Sequence, residues 1–204
     1  MYFKLKCPAK LYSCIFVKIR SPLKALLLKY KSVLRFIALF LGTYLLLGLL
    51  YGLYLKASEG GTYPPDVITH LVARQSSDLL NSIGYNAEVV PGESKPMMKL
   101  VVEGKFLAQI IQGCNSLSII ILFTSFIVAF AQRFRKTLLF IFAGSVLIYA
   151  VNILRIAILS VALYEYPQHK DILHGVVFPG LIYGMVFLLW MIWIRMLKPV
   201  KSDA

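Results

Sequence analysis

Four runs of predominantly apolar residues, at 33–55, 106–131, 137–163 and 172–194, dominate this chain of 204 residues. A helix needs about 20 apolar residues to cross roughly 30 Å of hydrocarbon. Inside lipid, each backbone N–H and C=O must find its partner within the protein, and a helix supplies all of these bonds locally. Runs of this length therefore predict an all-α integral membrane protein with four transmembrane helices. The composition agrees, with 59% hydrophobic residues and a mean hydropathy of +0.75. A soluble domain of this size does not need so much apolar surface.

The basic residues orient the helices. The segment before the first run carries Lys4, Lys6, Lys10, Lys18, Arg20, Lys24, Lys29 and Lys31, with no acid. The link between the second and third runs is Gln132-Arg133-Phe134-Arg135-Lys136, and Arg195, Lys198 and Lys201 follow the fourth. Four crossings put all three clusters on one side, which is the cytoplasmic side for short basic flanks. Both termini are then inside. The net charge of +13 reflects this orientation, since the cations flank apolar runs and form no patch suited to nucleic acid. The first run is too long for a cleavable signal peptide. Cys7 and Cys14 read as reduced cytoplasmic thiols.

The chain divides accordingly. A basic cytoplasmic segment (1–32) precedes the first helix (33–55), with apolar stretches suited to lying on the inner leaflet or remaining an unfolded basic tail. An extracytoplasmic loop subdomain (56–105) follows, then a core of three helices (106–196) and a cytoplasmic tail (197–204). The outer loop is long enough for a small α+β unit. Pro64-Pro65-Asp66 predicts a helix start, and Val67, Leu71, Leu79, Leu80 and Ile83 predict its apolar stripe, ended by Gly84. Ala87-Glu88-Val89-Val90 and 97–102 predict two strands across a Pro- and Gly-rich connection. Tyr44, Tyr51 and Tyr54 read as packing or interfacial aromatics, and Trp190 and Trp193 as an interfacial belt.

Ionisable groups inside spanning helices are costly and mark function. Cys114 lies 18 residues before Gln132, or about 27 Å up a helix. Arg155 lies 19 residues after Lys136, or about 28 Å. His174 lies 21 residues before Arg195, or about 31 Å. All three reach the outer boundary on different helices. Each has a plain structural reading as well: Cys114 as a small buried hydrophobe, Arg155 as a snorkelling cation, His174 as an interfacial imidazole. Agreement in depth favours a joint role. Gln112, Asn115 and Ser116 make the Cys114 stretch unusually polar, and Asn152 lies three residues before Arg155, on the same helix face.

A thiol, an imidazole and a guanidinium at one depth suit acyl transfer. His174 would take the Cys114 proton and return it to a leaving amine. Arg155 would hold the developing oxyanion or clamp a substrate carboxylate. Asn115 and Asn152 would orient them. His70, His169 and His174 lack metal-ligand spacing, and neither a phosphate loop nor a serine-hydrolase elbow occurs, so neither cofactor nor metal is expected. The alternative class is a non-enzymatic assembly factor or transporter subunit with a polar intramembrane cluster, although transporters more often show inverted repeats.

Gly113-Cys114-Asn115-Ser116, then Asn152-Ile153-Leu154-Arg155-Ile156, then His174-Gly175, in this order on successive helices, resemble the exosortase/archaeosortase family, most nearly its F-type subgroup. The resemblance spans 106–193. It implies a cysteine protease or transpeptidase of the cytoplasmic membrane, with Cys114 as nucleophile, Arg155 and His174 as its partners, and its site facing outside. Its partners would be membrane lipid and an exported protein bearing a C-terminal sorting motif, hydrophobic helix and basic tail. Two departures stand out. Gln112-Gly113 replaces the acid and alanine that many members carry before the cysteine. Many members also have more than four spans.

Overall fold

Helix α1 (Lys31–Ser58) runs for 28 residues without one buried side chain. Its apolar surface therefore needs lipid, not protein, around it. The computed structural model of the chain describes residues 28–63, 65–92, 97–131, 133–169 and 172–197. The basic stretch 1–27, with Cys7 and Cys14, and the tail from 198 lie outside the described residues.

A small α+β unit follows, as expected. Asp66 caps helix α2 (Val67–Ser82), accepting from the Ile68 and Thr69 amides, which satisfies donors that the first helical turn leaves open. The expected apolar stripe is not the buried face. Val67, Leu71 and Ile83 are exposed, and Thr69, Val72, Ala73, Ser76, Ser77 and Leu80 face inward. Small residues win that face because their hydroxyls find backbone acceptors. Ser76 Oγ donates to the Val72 carbonyl, and Ser77 Oγ to that of Ala87.

Strands β1 (Ala87–Pro91) and β2 (Met98–Val102) pair antiparallel, with Ala87 opposite Val102. A third strand, β3 (Lys105–Ile110), pairs antiparallel with β2 and gives the order β1-β2-β3. Glu103 (φ 51°) and Gly104 (φ 72°) join β2 to β3. Positive φ at both residues is the geometry of the two-residue turns whose twist matches paired strands.

This third strand corrects the second apolar run. A helix from 106 was expected, but 105–110 is sheet and helix α3 (Leu117–Ala129) has only 13 residues. That is about 20 Å of helix. Gly113 and Asn115, weak helix formers, lie in the break, and Ser116 takes a left-handed backbone (φ 61°). Helix α4 (Phe134–Glu165) has 32 residues, or about 48 Å. A π-helical turn (Leu173–Val177) leads into helix α5 (Phe178–Met196). Among the described residues, three segments are long and apolar enough to cross a membrane: Lys31–Ser58, Phe134–Glu165 and Gly175–Met196. The protein is a multi-pass membrane protein.

Two cores meet on α4. Ile156 and Ala157 join Val72, Leu80, Met98, Leu100 and Ile110 of the α+β unit. Ile148 joins Phe123 and Ile127 of α3 and Val186 and Trp193 of α5. A Cβ on Gly144 would overlap the Phe123 ring, so glycine sets the α3–α4 approach, as small residues do between membrane helices. Rings tie the basic ends of the helices together. Phe36 lies 4.6 Å from Phe130, Phe126 stacks 4.4 Å from Trp190, and Phe140 lies 4.9 Å from Trp193. Trp193 is therefore buried and Trp190 packed inward, in place of the expected interfacial belt.

Candidate active site

Cys114 ends a single 3-10 turn (Gln112–Cys114) between β3 and α3. Its amide donates to the Ile111 carbonyl at 2.8 Å. The depth inferred from a continuous helix does not apply to it, because no helix runs through it. Its level relative to α4 is set by a direct bond: Asn152 Nδ2 donates to the Cys114 carbonyl at 2.7 Å. Asn152 Oδ1 in turn accepts from Arg155 Nη1 at 3.5 Å. Asn152 thus links the cysteine turn to the arginine one helical turn further on.

Arg155 lies 21 residues along α4 from Phe134, about 32 Å from that end. Its Nε is buried without a partner, and its one hydrogen bond, to Asn152, is long. Among the described residues no carboxylate pairs with it. An unpaired buried donor costs about 1–3 kcal/mol, more when charged, so this guanidinium has capacity for a further partner. Cys114 and Arg155 both line one cavity of about 400 Å³, walled by β3 on one side and by Ile156, Leu159 and Ser160 of α4 on the other.

Asn115 anchors the turn from behind. It is buried, its Nδ2 donates to Tyr51 Oη at 2.9 Å and to Thr69 Oγ1 at 3.1 Å, and its Oδ1 accepts from the Leu117 amide. Tyr51 Oη donates to the Gln112 carbonyl at 3.3 Å. Thr69 Oγ1 donates to Asp66 at 2.6 Å, and Tyr54 Oη to the same carboxylate at 3.2 Å. Asp66 is fully buried and receives four donors, including the Ile68 and Thr69 amides. Buried polar groups are met by such bonds.

Of the residues singled out from the sequence, Cys114, Asn152 and Arg155 come together at the cavity, and Asn115 holds the cysteine turn. The backbone of His174 lies in the π-helical turn, but its side chain lies outside the described residues. Its neighbour Leu173 packs against Leu159 and Leu163, and both of these line the cavity. Tyr51, Tyr54, Asp66 and Thr69 were missed as site residues. Only the Asp66 cap carried a local signal, and it was one of structure.

A mostly apolar cavity holding Cys114 and Arg155, between a small α+β unit and the long helix α4, defines a multi-pass membrane protein with one polar cluster beside its helices. The Transmembrane exosortase family model matches residues 25–195, and the chain belongs to that family. No curated protein and no solved structure matches it.

Proposed function

We propose that the protein is a membrane-embedded cysteine peptidase or transpeptidase, of the F-type subgroup, acting on exported proteins at a C-terminal sorting signal. The observation that carries this reading is the cavity shared by Cys114 and an arginine that has no acidic partner among the described residues. Cys114 Sγ, its proton taken by His174, attacks the substrate carbonyl carbon. Arg155 donates to the oxyanion. The C–N bond breaks, the amine leaves with the proton from His174, and a thioester remains. Water or a second amine then attacks the thioester carbon, the C–S bond breaks, and the thiol is restored.

In this reading the chain crosses the cytoplasmic membrane four times with both termini inside, α3 making the shortest crossing. The basic links and tail support that parity. The loop unit and the cavity then face outside. The test is client maturation, followed by the mobility of an exported client on a blot. Cys114→Ser and Cys114→Ala should abolish it at unchanged protein level. Full maturation with Cys114→Ala rejects the enzyme.

A further inference from the structure

Six consecutive residues, Phe106 to Ile111, line the cavity beside Cys114. Successive side chains of a strand point to opposite faces of its sheet. A cavity against one face of a regular strand would be lined by every second residue; this one takes in all five residues from Phe106 to Ile110, across the bulge at Leu107, and runs along the strand's edge. β3 is last in the order β1-β2-β3. Among the described residues, no backbone hydrogen bond reaches β3 except from β2. Its outer edge is a row of open donors and acceptors, the feature that templates another strand.

The opposite edge of the sheet is built differently. β1 carries exposed Glu88 and ends in Pro91, which has no N–H, and both features discourage pairing. β3 carries neither. Its open edge looks across the cavity at α4, and the two elements converge at both ends. Lys105 Nζ lies 5.1 Å from the centre of the Tyr164 ring, and Asn152 bonds the Cys114 carbonyl. From Asn152 to Tyr164, α4 spans about 18 Å. At about 3.3 Å per residue, roughly five extended residues fit alongside.

We propose that the substrate enters this slot as an extended polypeptide segment and adds to β3 as a fourth strand, its scissile carbonyl reaching Cys114. Main-chain bonds to β3 hold the segment, and Ile156, Leu159 and Leu163 cover its side chains. This rests on Cys114 being the nucleophile. It adds the conformation and the direction of approach of the substrate: unfolded, and lying along the outer unit rather than end-on from the lipid.

The test is photo-crosslinking in membranes of cells that export the clients. Full-length protein carrying Cys114→Ala receives p-benzoylphenylalanine at Phe106, Leu107 or Gln109, with Glu88 on the far strand as control. Phe106 is the mildest replacement, aromatic for aromatic at a half-exposed position. The attached client residues are identified by mass spectrometry. The expected result is a ladder within one client segment next to its processing point. Attachment moves by one residue from Phe106 to Leu107 and by two more from Leu107 to Gln109, with yields at least tenfold above Glu88. Attachment spaced as on a helix, adducts to a second copy of this chain, yields equal to Glu88, or no client adduct from all three positions would overturn the proposal. Each outcome is judged apart from catalysis. Loss of maturation in Cys114→Ala with any of these patterns rejects the docking mode alone, and full maturation rejects the nucleophile.

Discussion

Among the described residues, Arg155 makes one long hydrogen bond, to Asn152, and its Nε is buried without a partner beside the cavity. Removing a donor aimed at a developing oxyanion costs about 10²–10³-fold in rate. Arg155→Ala should therefore slow client processing by about that factor in a pulse–chase measurement, with folding intact. Arg155→Lys should recover only part of it, because an ammonium lacks the guanidinium fork. A variant with wild-type processing would assign the arginine to structure. Behind the cysteine turn, Thr69→Val takes a donor from Asp66 and an acceptor from Asn115. Leaving buried polar groups unmet costs about 1–3 kcal/mol, so the melting temperature in detergent should fall clearly, and less with Thr69→Ser. Cys114, Asn152 and Arg155 were legible in the sequence because polar groups stand out in apolar runs. Tyr51 and Thr69 were not. Their bonds reach Asn115 across 64 and 46 residues, and a tyrosine near a helix end suits several roles.

At the scale of elements, the apolar runs gave away helices α1, α4 and α5 but hid β3. Its residues are apolar enough to merge with the helix after them, and half-buried enough to blur the strand alternation. What separates them is the turn at 112–116, whose glycine and asparagine carry only a weak local signal. The α2 stripe misled for a related reason. Val67, Leu71 and Ile83 there are exposed, while Ser76 and Ser77 are buried beside Val72 and Leu80 because their hydroxyls meet backbone carbonyls close by. The α3–α4 contact depends on a bare backbone at Gly144. Gly144→Val would force a branched side chain into the Phe123 ring, and overpacking of this kind costs about 1–3 kcal/mol. Protein yield and thermal stability in detergent should fall together, while Gly48→Val on α1, with open space around it, should change neither much. Equal behaviour of the two would show that α3 and α4 do not pack this way in the membrane.

For the whole molecule, α4 contributes to both cores, so the α+β unit and the bundle share one scaffold. Charge alone predicts how that scaffold is threaded. Alkaline phosphatase fused after Pro91 should be active outside the membrane, and green fluorescent protein fused after Leu197 should fluoresce inside. A reversed result would separate the basic clusters from the orientation they are taken to set. The hairpin between β2 and β3 has a further consequence. Its turn is two residues, Glu103 and Gly104, and three residues separate Ile110 from Cys114. No slack lies along this path, and a shift of one residue in a strand reverses its faces. One codon gained or lost between Val102 and Cys114 would present the thiol to the wrong side.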